Sequence, residues 1–308
     1  MNYLGIDLGG TNIAAAVLDA DYRIIARAQR KTACPRPAEQ IMDDMCAVAR
    51  EALAAAHLTA EDVPYIGVGC PGMVLTDIGV IVYANNLGFR DVRMGEYMEQ
   101  RLGRPIVIDN DANAAALGER WLGAGRNMDS LLLVTLGTGV GGGLVLHGEM
   151  MTGAHGSAGE IGHMTVNPGE TQLCSCGKRG CLEQYASAGG IVRLAQAAGL
   201  RVESAKDVSD LAAWGNERAQ GALKKAGRLL GLALSNAACL VDVDGILLGG
   251  GVAAAGEALL SPVRDAFYAN VFHAAAGTQV ALASLGNDAG MYGAARLALG
   301  SQSATTAL

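Results

Sequence analysis

Asp7-Leu8-Gly9-Gly10-Thr11-Asn12 and Leu136-Gly137-Thr138-Gly139 are the stretches on which the reading of this chain turns. Around the first, Tyr3–Leu8 and Ile13–Asp19 are short apolar runs, and the Gly-Gly-Thr between them is a turn signal. Around the second, Leu131–Leu136 and Gly143–His147 read as strands, with Gly137–Gly143 as a Gly-rich turn. LGGTNIAAAVL at 8–18 is thus echoed by LGTGVGGGLVL at 136–146. A repeat of strand, Gly/Thr turn and strand at this separation predicts two related domains.

Outward from these turns, β-rich runs alternate with Ala-rich helical runs, which predicts an α/β protein. Pro37–Ala56 is expected as a helix, with Ile41, Met45, Val48 and Leu53 at helical spacing. Tyr65–Gly69 and Pro105–Asp109 are expected as strands, and the second runs into a helix over Asp111–Trp121. Gly245–Leu248 is a further strand, ending in Gly249-Gly250-Gly251. No low-complexity linker interrupts the chain, so the domains are expected to join near residues 118–125.

Of 308 residues, 51% are hydrophobic and 17% charged, which supplies a sizeable core and excludes disorder. The formal net charge of −7 and the lack of a Lys/Arg run argue against nucleic acid as a main partner. A small anion remains possible, because backbone N–H groups and a metal ion bind phosphates without a basic surface. MNYLGIDLGG has neither the basic nor the apolar region of a signal peptide, and no apolar run reaches membrane-spanning length. A cytoplasmic protein with no membrane partner is expected.

Gly137, Gly139 and Gly142 formally satisfy G-x-G-x-x-G. A dinucleotide site needs a helix to start at that loop, and here the loop leads into strand-like Gly-Leu-Val-Leu-His. The alternative is a hairpin turn whose N–H groups and Thr hydroxyl face phosphate oxygens. Asp7, at the end of the first strand, would then need Mg²⁺ or its waters between itself and the phosphates.

Cys174, Cys176 and Cys181 place three of seven cysteines within eight residues, with glycines between them. In a reducing compartment this crowding indicates metal before disulfide. Three thiolates and one imidazole make a closed structural zinc set, for which spacing leaves both His163 and His155 as candidates. Cys34, Cys46, Cys70 and Cys239 sit in apolar contexts and are expected in the core. Asp109-Asn110-Asp111 falls where a strand enters a helix, so either acid could cap that helix, and Asp111 could instead serve as a general base.

The Asp7–Asn12 turn resembles the first phosphate loop of the actin-like ATPase and sugar kinase superfamily. Leu136–Gly139 resembles its second, and Gly249-Gly250-Gly251-Val252 its adenosine loop. Gly159-Glu160-Ile161-Gly162-His163, followed by Cys-x-Cys-x-x-x-x-Cys-x-Glu ending at Glu183, resembles the signature of the ROK family of sugar kinases and sugar-responsive repressors. The resemblance implies two actin-like (ribonuclease H-like) α/β domains flanking a nucleotide and sugar cleft. The small one would comprise residues 1–118, completed by a C-terminal helix at about 291–308, and the large one residues 119–290 with a zinc loop at 163–181.

The same resemblance implies ATP contacts at Asp7, Gly9, Gly10, Thr11, Asn12, Gly137, Thr138, Gly139, Gly249, Gly250 and Gly251, with Mg²⁺. It implies sugar contacts at Gly72, Asn86, Asn110, Asp111, Glu160, His163 and Glu183, with Asp111 as base and Asp109 structural. It selects His163 to join Cys174, Cys176 and Cys181 on structural Zn²⁺. The implied activity is ATP-dependent phosphorylation of a hexose, nearest the glucokinase branch and so giving glucose 6-phosphate, in a homodimer or homotetramer. N-acetylmannosamine, fructose and allose kinases are the alternatives. A repressor is not expected, since Asp7 leaves no room ahead of it for a helix-turn-helix. A filament subunit would have no use for the zinc loop.

Overall fold

Strand β1 (Tyr3–Leu8) shows how the first half of the fold is layered. Leu4, Ile6 and Leu8 point to one face and join a core with Ile41, Met45 and Val48 of helix α1 (Ala38–Ala55). Tyr3, Gly5 and Asp7 alternate onto the other face, as the two-residue period of a strand requires. Ile6 is fully buried, and truncating such a residue to Ala costs about 2–5 kcal/mol.

The computed structural model of the chain describes residues 1–305, with side chains described through residue 300. These residues gather into two units, Met1–Arg126 with Thr152–Ser157 and the chain from Asn287, and Asn127–Met151 with Ala158–Gly286. In the first unit β1, β2 (Asn12–Leu18), β3 (Ile24–Lys31) and β4 (Ile66–Cys70) precede a small sheet of β5 (Met73–Leu75), β6 (Val80–Ala84) and β7 (Phe89–Val92). After α2 (Met94–Leu102), β8 (Ile106–Asn110) returns to the main sheet, whose order is β3-β2-β1-β4-β8. Strand β8 then enters α3 (Asp111–Leu122).

The second unit repeats this plan. Strands β9 (Leu131–Leu136), β10 (Val140–Leu146), β11 (Glu149–Met151), β12 (Gly245–Gly249) and β13 (Gln279–Leu282) run in the order β11-β10-β9-β12-β13. In both sheets the first three strands are antiparallel neighbours, and the last two join in parallel. The duplication legible in 8–18 and 136–146 is therefore a duplication of topology. Between β11 and β12 lie α4 (Glu183–Ala186), α5 (Ala188–Ala197), α6 (Ala205–Ala213) and the long α7 (Glu217–Val241). Helix α8 (Glu257–Asn270) follows β12, and α8 and α7 share the core of this unit through Leu230, Leu234, Leu259 and Val263.

Helix α9 (Ala289–Thr305) belongs to the first unit; residues 306–308 of the expected C-terminal helix lie outside the described residues. It lies against the Gly5 face of β1 with almost no gap: a Cβ built on Gly5 would stand 2.1 Å from the Met291 carbonyl oxygen. Two expectations change. Strand β10 starts at Val140 rather than Gly143, because Gly141–Gly143 stay in the ladder opposite Thr135, Val134 and Leu133. Cys239 is exposed rather than buried in the core.

Candidate functional site

In the first unit, the turn after β1 is closed by the Gly9 N–H donating to the Asn12 carbonyl at 2.8 Å, and Gly10, Thr11 and Asn12 are exposed. Asp7 is on the β1 face that meets the start of α9. A Cβ on Gly290 would lie 2.7 Å from Asp7 Oδ2, so a residue with a side chain there would displace the carboxylate. Burial pushes the Asp7 carboxyl up to about 7, and the negative field of Asp111 adds to the shift. Two acids that oppose each other's ionisation in this way are a donor set suited to a hydrated divalent cation such as Mg²⁺.

The approach to α3 settles which residue caps it. Asn110 has extended backbone, and its side-chain oxygen accepts the N–H groups of Ala112 at 2.8 Å and Asn113 at 3.3 Å. Its Nδ2 donates to the Gly72 carbonyl at 3.0 Å. Asp109 is buried, accepts from Asn113 Nδ2 at 2.9 Å and from the Asn110 N–H at 2.6 Å, and its pKa is raised by that burial. Neither acid weighed as a cap is the cap: Asn110 fills that role. Asp111 occupies the first helical position, where the helix dipole favours its charge, and its Oδ1 accepts the Ala112 N–H at 2.9 Å.

Gly72 adopts φ +98°, and a Cβ there would stand 2.1 Å from the Tyr83 carbonyl oxygen, so the Cys70-Pro71-Gly72 loop can meet β6 only with glycine at this position. Asn86 is exposed on the short turn Asn85–Leu87, with its Cβ 4.0 Å from where a Gly10 Cβ would be. Asp7, the Gly9–Asn12 turn, Asn86, Gly72, Asn110 and Asp111 are thus linked within the first unit through these pairs.

In the second unit the turn Gly137–Gly139 is closed by the Gly137 N–H on the Gly139 carbonyl at 3.0 Å, with Thr138 exposed. Gly250, at φ +84°, brings the third glycine segment against Leu136, the last residue before that turn; a Cβ on it would lie 2.4 Å from the Leu136 oxygen. Gly142 of β10 faces the Gly159 backbone, 2.2 Å from a would-be Cβ to the Gly159 oxygen. That contact seats Gly159–His163 on β10 and explains why a strand here carries glycines. Glu160 is exposed at its outer edge.

Glu183, the first residue of α4, joins the turn to the cysteine loop. Its Oε2 accepts the Val140 N–H at 3.2 Å, and its Oε1 accepts the Ser175 hydroxyl at 2.8 Å with Cys174 Sγ at 3.8 Å. The Ala188 N–H donates to the Gly137 carbonyl at 2.8 Å, fixing the other side of the turn.

His163, Cys174, Cys176 and Cys181 each offer one ligand atom, all within 4.8 Å of one another. Cys176 Sγ and Cys181 Sγ are 3.7 Å apart, and Cys174 Sγ is 3.8 Å from His163 Nδ1. A tetrahedron with metal–sulfur bonds of about 2.3 Å has edges of about 3.8 Å, so the donor set fits zinc in both chemistry and size. Burial and the adjacent sulfurs push the Cys181 thiol up to about 12, a cost that a bound cation relieves by holding thiolates. The histidine in this cluster is His163, not His155; its Nε2 lies 3.9 Å from Glu160 Oε2.

The sequence profile of the ROK family matches residues 3–301. The chain belongs to the ROK family. It is 38% identical over 306 residues to a glucokinase of Halalkalibacterium halodurans, covering 94% of this chain and 93% of that protein. Among solved structures it is similar to a ROK family glucokinase from Streptomyces griseus in complex with glucose and AMPPNP, at 35% identity and a TM-score of 0.84 over 97% of this chain and 100% of that one. A ROK hexokinase from Thermus thermophilus is similar at 34% identity and a TM-score of 0.84, over 99% of this chain and 100% of the other. The two repeated sheets of this ROK protein are those of the actin-like sugar kinase fold.

Two features of this ROK chain were not read from its sequence: the Asn110 cap and the Glu183 link to the Val140 N–H. An Asn at a strand-to-helix junction is itself a capping signal, but Asp109 and Asp111 on either side carry an equal one. No local signal announces the Glu183 link, since 43 residues separate the partners.

Proposed function

We propose that this ROK protein is an ATP-dependent glucokinase that forms glucose 6-phosphate. The observation that carries the reading is the likeness to glucokinases over almost the whole chain, a span that includes both Gly/Thr turns, the acid opening α3 and the cysteine loop.

In the first unit, Asp111 is the general base: it takes the proton from a sugar hydroxyl as that oxygen bonds to the γ-phosphorus and the bond to ADP breaks. The dipole of α3 keeps the carboxylate ionised for this task. Gly72, Asn86 and Asn110 line the sugar beside it, with Asn110 limited to the one amide N–H that its cap and its Gly72 bond leave over. Gly9, Gly10, Thr11 and Asn12 hold phosphate oxygens, and Asp7 holds waters of Mg²⁺, which neutralises phosphate charge.

In the second unit, Gly137, Thr138 and Gly139 form the second phosphate turn, and Gly249, Gly250 and Gly251 flank the adenosine. Glu160, His163 and Glu183 bind sugar hydroxyls. His163, Cys174, Cys176 and Cys181 hold structural Zn²⁺, and with Nδ1 on the metal the other ring nitrogen of His163 is a fixed N–H donor.

The acidic balance supports a small substrate over nucleic acid. A Cys174–Cys181 cluster suited to metal rather than disulfide supports a cytoplasmic location. Among the described residues no helix is long and apolar enough to cross a membrane. A homodimer or homotetramer completes the proposal. An ADP-release assay with Mg²⁺ across a sugar panel tests it, with glucose expected to give the highest kcat/KM. Preference for N-acetylmannosamine, fructose or allose would overturn the choice of glucose; no sugar-dependent ADP release would overturn the kinase.

A further inference from the structure

Thr32 follows β3 and is fully buried, although it carries a hydroxyl. Its side chain and its backbone both bind the first glycine turn. The Thr32 hydroxyl donates to the Gly9 carbonyl at 2.7 Å, and the Thr32 N–H donates to the Thr11 carbonyl at 2.9 Å. These two carbonyls bracket Gly10 and the Gly10–Thr11 peptide.

The consequence follows from peptide planarity. In a trans peptide the C=O and the following N–H point in opposite directions. Turning the Gly9 carbonyl toward Thr32 turns the Gly10 N–H away from it, and turning the Thr11 carbonyl does the same for the Asn12 N–H. Gly10, Thr11 and Asn12 are exposed, and these two donors point to the side of the turn away from Thr32. A turn that binds phosphate needs its N–H groups outward and its carbonyls withdrawn. Thr32 is held in place in turn: Arg36 Nε donates to the Thr32 carbonyl at 2.8 Å, and the same guanidinium pairs with Asp44 of α1.

We infer that Thr32 is a positioning residue for nucleotide phosphate binding, acting through the Gly9 and Thr11 carbonyls to aim the N–H groups of the first turn. This rests on the reading of that turn as a phosphate loop. Thr32→Val keeps the shape and the backbone N–H but removes the hydroxyl donor, leaving the half-buried Gly9 carbonyl short of a partner. One such loss corresponds to about a 5- to 30-fold change in an equilibrium constant.

The test is ADP affinity by calorimetry, with KM for ATP and for glucose, in wild type, Thr32→Val and Thr32→Ser. Thr32→Val is expected to weaken ADP binding and raise the ATP KM by about 5- to 30-fold. Its glucose KM should stay near wild type, and Thr32→Ser should restore ADP affinity. A lowered melting temperature with unchanged ADP affinity would overturn the role, as would an equal rise in the glucose KM or a Thr32→Ser enzyme as weak as Thr32→Val. If Thr32→Val does not fold, Arg36→Gln decides: it loosens the Thr32 carbonyl, so weaker ADP binding supports the role and unchanged binding overturns it. A wild type that binds no ADP defeats the phosphate-loop reading itself; a wild type that binds ADP, with Thr32→Val its equal, defeats only the role of Thr32.

Discussion

The Glu183 carboxylate accepts the Val140 N–H at 3.2 Å, one residue past the Gly137–Gly139 turn, while its other oxygen accepts the Ser175 hydroxyl at 2.8 Å in the cysteine loop. One side chain therefore holds a candidate phosphate turn and a candidate metal loop in fixed relation. The carboxylate is packed on Gly139, where a Cβ would stand only 2.5 Å from its Oε2. Glu183→Gln keeps the length but loses the charge, and hydrogen bonds to charged groups contribute about 1.5–3 kcal/mol. We expect the ATP and glucose KM values of Glu183→Gln to rise together, each by about tenfold or more. A rise confined to glucose would mean that the carboxylate serves the sugar alone.

Asp111→Asn removes the proposed base and leaves α3 capped, because the cap is Asn110. Turnover is expected to fall by about 10²- to 10⁴-fold. ADP affinity and melting temperature should stay near those of wild type, which separates loss of proton transfer from loss of structure. An Asp111→Asn enzyme with full turnover removes Asp111 from the chemistry.

The contrast between Asp111 and Asn110 shows what the sequence made legible. Glycine-and-threonine turns between apolar runs are local signals, so β1, β9 and the duplicated plan could be read directly. The clustering of Cys174, Cys176 and Cys181 was legible for the same reason, since three thiols within eight residues report their own proximity. The sheet β5–β7 and the helices α4–α7 were not read, because short strands and Ala-rich helices are specified by the surface they cover more than by their own residues. Gly141–Gly143 misled for a related reason: they are strand because Gly142 must admit Gly159, a partner distant in sequence.

Asp7 makes stability depend on pH in a direction opposite to most carboxylates. Its folded pKa of about 7 lies above the unfolded value of about 3.9, so the folded state binds more protons between those limits. Stability from this group is therefore complete below about pH 4, falls as pH rises toward 7, and stays at its reduced level above. The negative field of Asp111 adds to the burial of Asp7, and burial with the charges of Asp111, Asp109 and Asp7 pushes the neighbouring Cys70 thiol up as well. Asp7→Asn abolishes the titration. In melting curves without nucleotide, its stability relative to wild type should rise from pH 4 to 7 and then level off, while turnover with Mg²⁺ falls. A stability difference that does not change across that window would show that Asp7 titrates as an ordinary acid.

Cys176→Ser isolates the metal from the packing around it. Cys181 is fully buried and Cys174 nearly so, and replacing either would disturb the core as well as the ligand set. Cys176 is exposed, so its thiol contributes little to packing and its loss reports on coordination. The backbone of the loop between Cys174 and Cys181 is held apart from any metal, by Cys174 N–H to the Lys178 carbonyl at 2.8 Å, Gly177 N–H to the Cys174 carbonyl at 2.9 Å and Val166 N–H to the Gly180 carbonyl at 2.8 Å, so the variant tests the ligand set and not the loop's fold. On the proposed reading, loss of the cation would leave the three sulfurs without a common partner and free His163 to turn away from Glu160. Wild type is expected to carry about one zinc per chain by elemental analysis. Cys176→Ser should lose that zinc and raise the glucose KM, and prolonged chelation of wild type should do the same, reversed by added Zn²⁺. A zinc-free Cys176→Ser enzyme with the glucose KM of wild type would detach the metal from sugar binding altogether.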